Sequence, residues 1–195
     1  VSAAVQPLRP VIAYCGSPKY RNEKQLGWRV HVIRHLLASG LPLELHHDDW
    51  ATVPGCEAAA RPTPTLTAWF GTFRTATVNL ALAADWDIGP HPLVKLLNVE
   101  IAAAGGMQIA QPSAELADLF SFDRDIATAD TAAEIAMLSR HFLSTRKKPV
   151  NWAGIAARRW NAPTAGISGG RMSPTIWPPR AFTCRGSVRH RPLIP

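Results

Sequence analysis

Residues 11–46, VIAYCGSPKYRNEKQLGWRVHVIRHLLASGLPLELH, decide the fold class. Val11, Ile12, Ala13 and Tyr14 form a short apolar run that stops at Gly16-Ser17, the pattern of a buried strand ending in a tight turn. The period then changes. Leu26, Val30, Ile33 and Leu37 recur at helical spacing and fall on one face, and Gly40 supplies a left-handed end. Residues 41–46 return to strand character, so the chain opens as strand, helix, strand.

Working outward, residues 48–66 carry Asp48-Asp49-Trp50 and three prolines and suit an irregular connection. Regular structure is expected to resume near Ala68, with a strand over residues 78–82 and a loop over 85–90 at its end. Pro92 fits a first helical position, where a missing N–H costs nothing, and Leu93, Leu96, Leu97 and Ile101 supply the apolar face of a helix closed by Gly105-Gly106. A brief strand at 107–110, a helix over 114–120 capped by Ser113, a weak strand at 126–127 and a helix from Asp130 or Thr131 to Leu143 complete the alternation, with Ile135, Leu138 and Phe142 inward and Arg140 near the C-terminal end. The pattern predicts an α/β fold, a Rossmann-like parallel sheet with helices on both faces, followed by an irregular C-terminal tail.

The division expected is an extension at 1–10, one lobe at 11–160 and a basic, proline-rich, disordered tail at 161–195, either native or an altered reading-frame end. At 195 residues the chain holds one nucleotide-binding lobe and not two. A start at Val1 rather than Met fits a fragment or a processed product. The net charge of +7 belongs to the end of the chain: ten Lys/Arg face fourteen acids through Glu134, whereas eleven Lys/Arg and no acid follow it. The body is therefore mildly acidic, and nucleic acid is not the expected partner. Cys15, Cys56 and Cys184 show no zinc or redox spacing, and no apolar stretch approaches the ~20 residues that span a bilayer. A cytoplasmic protein is expected.

In an open parallel sheet ligands collect beyond the carboxyl ends of the strands. Three loops qualify: Gly16-Ser17 with the following Lys19, Tyr20 and Arg21; residues 85–92; and Gln111-Pro112-Ser113. Backbone N–H groups after Ser113, with Lys19, Arg21 or Lys24 as cations, suit a diphosphate. Taken alone, Gly16-Ser17 is better read as an ordinary turn and Ser113 as an ordinary helix cap. Gly-x-Gly-x-x-Gly and the phosphate-loop motif are both absent. Glu100 stands inside an otherwise apolar helix, where its carboxylate meets either water at the helix edge or a ligand such as a ribose diol. His46-His47-Asp48-Asp49 is a polar strand end and not a metal site, because adjacent residues on a strand point in different directions.

The series Asp85-Trp86-Asp87-Ile88-Gly89-Pro90, Val99-Glu100-Ile101-Ala102-Ala103-Ala104-Gly105-Gly106 and Glu115-Leu116-Ala117-Asp118-Leu119-Phe120, with Cys15-Gly16-Ser17 and Thr77-Val78-Asn79-Leu80 before it, resembles the C-terminal lobe of CgeB-like (spore-maturation group) GT-B glycosyltransferases over residues 11–145. The resemblance implies a lobe that binds a nucleotide diphosphate sugar as donor substrate, with no tightly bound cofactor and no metal. It implies that Glu100 holds the nucleotide ribose, that Gly105 and Gly106 approach the ligand closely, and that Ser113 begins the segment facing the phosphates. A second Glu of the family, eight residues earlier, is Pro92 here, so that either Asp85 or Asp87 serves instead or the sugar contact is absent. The arginine-rich final helix of the family is traceable only in residues 153–159. No catalytic residue is assigned, since the acceptor lobe would be a separate N-terminal domain. The alternative is a noncatalytic or degenerate α/β module with a nucleic-acid-binding tail, in which Trp160, Trp177 and the arginines stack on bases and pair with phosphates.

Overall fold

The computed structural model describes residues 7–18, 26–82, 94–122 and 124–145. Lys19, Arg21, Lys24, Asp85, Asp87, Pro92, Leu93 and the expected tail lie outside the described residues, as does the side chain of Leu26.

Six strands form one parallel sheet: β1 (Arg9–Cys15), β2 (Leu43–His46), β3 (Ala60–Arg61), β4 (Ala76–Ala81), β5 (Gln108–Ala110) and β6 (Ala127–Thr128), in the order β3-β2-β1-β4-β5-β6. Five helices are α1 (Leu26–Ala38), α2 (Leu66–Thr75), α3 (Leu96–Ala103), α4 (Ala114–Leu119) and α5 (Ala132–Thr145). The order runs outward from β1 to one edge, returns across the sheet through α2, and runs outward again from β4. With right-handed crossovers this places α1 on one face and α2 and α3 on the other. Contacts agree, since α1 packs with α5 and α2 with α3. The expected Rossmann-like arrangement is therefore present.

β1 and β4 are central; β4 is buried along its whole length and β1 from Ile12 to Cys15, as strands covered on both sides are. Val30 and Ile33 of α1 are buried as their spacing predicts, Leu37 packs against the same core, and Gly40 ends the helix at φ 69°. Between β2 and β3 the chain carries no α-helix. A 3-10 helix, Asp48–Thr52, is followed by a second over Glu57–Ala59 and then by β3, which the sequence pattern did not reveal. Thr65 caps α2 by accepting from the Ala68 N–H, so that helix starts just before the expected point.

The inward stripe of α3 differs from expectation. Leu96 is 72% exposed, whereas Asn98 is buried beside Leu97 and Ile101. Positions 94, 97, 98 and 101 share a helix face and 96 does not. α5 begins with a capping box: the Thr131 hydroxyl accepts from the Glu134 N–H, and the Glu134 carboxylate accepts from the N–H groups of Asp130 and Thr131. Its Arg140 reaches the Ser39 carbonyl beyond the end of α1. Among the described residues no helix is long and apolar enough to cross a membrane.

Candidate functional site

Because all strands are parallel, the segments after β1, β4 and β5 emerge at one edge of the sheet. The strand order reverses between β1 and β4, and a crevice opens at such a point. Gly16 and Ser17 leave β1 there, and Ser113 follows β5 along the same edge. The loop after β4, with Asp85 and Asp87, lies outside the described residues, as does Arg21.

The β1 loop is held from beneath by side chains that the sequence pattern did not single out. The Gly16 N–H donates to the His46 carbonyl at 3.3 Å, and the Gly16 carbonyl accepts from Trp50 Nε1 at 2.7 Å. Arg29, buried on α1, donates from its guanidinium to the Ser17 carbonyl at 3.2 Å. The Ser17 hydroxyl donates to Asp49 Oδ2 at 3.5 Å. Trp50 and Asp49 both belong to the first 3-10 helix, whose N-cap is His47: its Nδ1 accepts from the Asp49 N–H at 3.2 Å. Asp48 binds the Thr63 hydroxyl at 2.7 Å and the Thr63 N–H at 3.2 Å, and these bonds hold its carboxyl below the usual range. The polar run after β2 thus anchors the connection that supports the β1 loop.

Glu100 sits half-buried on the α2/α3 face and accepts a hydrogen bond from Trp69 Nε1 of α2 at 3.3 Å. A carboxylate offers about four acceptor positions, so one neutral donor leaves acceptor capacity on the group. Its negative charge reaches the end of β1: the Cys15 thiol is pushed up to about 12, mainly by burial and then by the charges of Glu44 and Glu100. Cys15 is accordingly a neutral core thiol at ordinary pH.

Buried amides fix α3, and with it Glu100. Asn98 Nδ2 donates to Gln108 Oε1 at 3.1 Å, Gln108 Nε2 donates to the Asn98 carbonyl at 3.0 Å, and Asn98 Oδ1 accepts from the Lys95 N–H. The helix ends in a Schellman arrangement: Gly106 N–H bonds the Ile101 carbonyl, Gly105 N–H bonds the Ala102 carbonyl, and Gly105 takes φ 73°. These two glycines are not beside Gly16 or Ser113. They join α3 to β5 at the N-terminal ends of the strands, the opposite edge of the sheet. The close approach that the family resemblance assigns to a ligand is made here to protein, since a Cβ on Gly106 would lie 2.5 Å from the Phe73 carbonyl oxygen and 2.8 Å from Asn79 Nδ2. Asn79 itself bridges the Phe73 and Met107 carbonyls, each at 3.0 Å.

Ser113 is the N-cap of α4, its hydroxyl accepting from the Leu116 N–H at 3.1 Å. On the Cys15 face of the sheet, Arg9 NH1 donates to both Glu44 oxygens at 2.7 Å, and His46 Nε2 lies 3.5 Å from Glu44 Oε2. Burial pushes the Glu44 carboxyl up, but the Arg9 hydrogen bond and charge outweigh it and hold the group below 4.5. A groove of about 650 Å³ between α1 and the first 3-10 helix is lined by Pro18, His31, Arg34, Thr52 and Pro54 among others; among the described residues it meets the β1 loop at Pro18.

The residues brought to one edge, then, are Gly16, Ser17 and Ser113, while Glu100 lies on α3 against Trp69 of α2. This arrangement suits an elongated polar ligand lying across the ends of β1, β4 and β5. Comparison of the chain with models of protein families and with curated proteins returns no match, so its function is argued from this geometry.

Proposed function

We propose that the chain is the donor-binding lobe of a glycosyltransferase of GT-B type, similar to the CgeB-like group, which transfers a sugar from a nucleotide diphosphate sugar once joined to an N-terminal acceptor lobe. The observation that carries the reading is the reversal of strand order between β1 and β4, with the Gly16 loop leaving β1 at that point and Glu100 on α3, the helix that packs on β4 and β5. In this reading Glu100 accepts from the ribose hydroxyls while Trp69 holds its other side. The segments at Gly16 and Ser113 lie along the diphosphate and stabilise the negative charge that develops on the leaving nucleotide. The general base belongs to the partner lobe, so this chain alone binds donor and transfers little.

The Trp69–Glu100 hydrogen bond favours a second reading, in which Glu100 is a structural acceptor and the chain is a noncatalytic α/β module. Thermal unfolding with UDP, GDP, TDP and ADP, repeated on Glu100→Ala, separates the two. Ligand at about a hundred times its Kd adds ~2.7 kcal/mol, a shift of several degrees at roughly 2–4 °C per kcal/mol. A shift with one nucleotide that Glu100→Ala abolishes is expected. A cooperative melt that no nucleotide moves refutes the donor-lobe reading.

A further inference from the structure

The 3-10 helix Asp48–Thr52 stands where a Rossmann-like fold ordinarily has its second helix, and it turns two successive side chains onto the β1 loop. Asp49 accepts from the Ser17 hydroxyl, and Trp50 donates to the Gly16 carbonyl. Trp50 is fully buried, with its ring edge-on to Tyr14 at 5.8 Å. A phenylalanine or leucine would serve for packing alone. The indole brings an N–H that must find an acceptor inside the protein, and the acceptor it takes is a backbone carbonyl of the crevice loop.

The consequence follows from the planarity of the peptide. In a trans unit the C=O of one residue and the N–H of the next point in opposite directions. With the Gly16 carbonyl drawn toward Trp50, the Ser17 N–H is turned away from it. Trp50 packs on the Tyr14 face of β1, and Cys15, the neighbour of Tyr14, projects to the other face, that of Asn79, which bonds α2, the helix whose Trp69 holds Glu100. The indole therefore sets which edge of the Gly16–Ser17 peptide faces the Glu100 side of the sheet, and Arg29 fixes the next carbonyl in turn.

We infer that Trp50 is a positioning residue of the ligand site: its indole N–H orients the Gly16–Ser17 peptide so that the loop receives a pyrophosphate group, and Arg29 holds the following carbonyl in support. The inference deepens the donor-lobe reading and rests on it for the identity of the ligand, though the pyrophosphate contact is testable by itself. The experiment titrates the chain, held well below its melting temperature, with inorganic pyrophosphate and with UDP, GDP, TDP and ADP. Wild type is compared with Trp50→Phe and with benzothienylalanine at position 50, which keeps the shape of tryptophan and lacks the N–H. Ile135→Val, a buried trim on α5, controls for lost stability.

Loss of the indole donor is expected to weaken pyrophosphate binding about tenfold, while Ile135→Val binds as wild type does and the Trp50 indole N–H resonance of the wild type shifts with pyrophosphate. Equal affinity in wild type and in the benzothienylalanine protein overturns the inference and leaves the donor-lobe reading standing. Pyrophosphate binding that depends on Trp50, with nucleotides binding no more tightly than pyrophosphate, supports the inference and defeats the donor-lobe reading. A wild-type chain that does not bind pyrophosphate at all overturns the inference.

Discussion

Replacing Gly106 with alanine sets a new methyl group against backbone, and the cost is calculable from the contacts. The added carbon would stand 2.5 Å from the Phe73 carbonyl oxygen, 2.8 Å from Asn79 Nδ2 and 3.0 Å from Ile101 Cγ2. The Phe73 oxygen cannot rotate aside, because it belongs to α2 and already accepts from Asn79. Overpacking of this kind costs about 1–3 kcal/mol, and displacing Asn79 endangers two hydrogen bonds worth about 1 kcal/mol each. A total loss of roughly 3–5 kcal/mol is expected if both bonds go, read as a lower urea midpoint at unchanged m-value. Gly105→Ala is the matched control: its penalty comes from the left-handed backbone, at φ 73°, and is about 1–2 kcal/mol. A Gly106→Ala protein within about 0.5 kcal/mol of wild type, the range of an ordinary surface change, would show that α2 and α3 are not held against each other as described.

The Asn98–Gln108 pair is predicted to behave as a unit. Asn98→Leu leaves the buried Gln108 Oε1 without its donor and the Lys95 N–H without its acceptor and costs about 1–3 kcal/mol, whereas the double change with Gln108→Leu recovers the part due to Gln108 Oε1, and simple additivity of the two would refute the coupling. Acid should destabilise the protein in two stages. His46 is held below its ordinary 6.5, chiefly by burial, so its contribution is present above pH 6.5 and lost as pH falls through the folded value; Glu44, held below 4.5 by Arg9, contributes above pH 4.5 and is lost lower down. Chemical denaturation across pH 3–8 should find the lower stage flattened in Glu44→Gln and the upper one in His46→Gln, and a wild-type curve without slope below pH 6.5 would refute both assignments.

Local periodicity carried much of the fold. The apolar run at 11–14, the helical spacing of Val30 and Ile33, and the alternation of later elements were all legible, because each is a property of neighbouring residues. β3 was not, since two residues, Ala60 and Arg61, are too few to show a period. Leu96 and Asn98 misled for a different reason. Hydropathy assigns the leucine inward and the amide outward, and only the position of Gln108 on the adjacent strand reverses the choice. At the site, Gly16, Ser113 and Glu100 were visible as residue types in suggestive places. Trp69, 31 residues from Glu100, and Trp50, 34 residues from Gly16, are partners created by tertiary contact, and nothing beside them in sequence announces it. Gly105 and Gly106 were recognised as glycines of close approach, but what Gly106 approaches is the α2 carbonyl at the far edge of the sheet, and Gly105 supplies the left-handed turn before it.

The reversal at the centre of the sheet also governs the order in which the chain assembles. β1 meets β2 across one short crossover, but its other neighbour, β4, is distant: Thr77 bonds back to Arg9 over 68 residues. Closing that span costs about 4 kcal/mol in chain entropy, so the β1–β2 pair forms first. During synthesis at about 5–20 residues per second, the stretch from His46 to Ala81 takes roughly 2–7 s to emerge. For that interval the strand that will be innermost is an open, apolar edge, the kind that recruits other chains. The finished sheet closes this edge, and among the described residues its outer strands are β3 and β6, two residues each, too short to template growth. Aggregation during expression should therefore track how fast α2 and β4 follow β2, and synonymous slowing of translation between His46 and Ala81 would raise it without altering a single native contact.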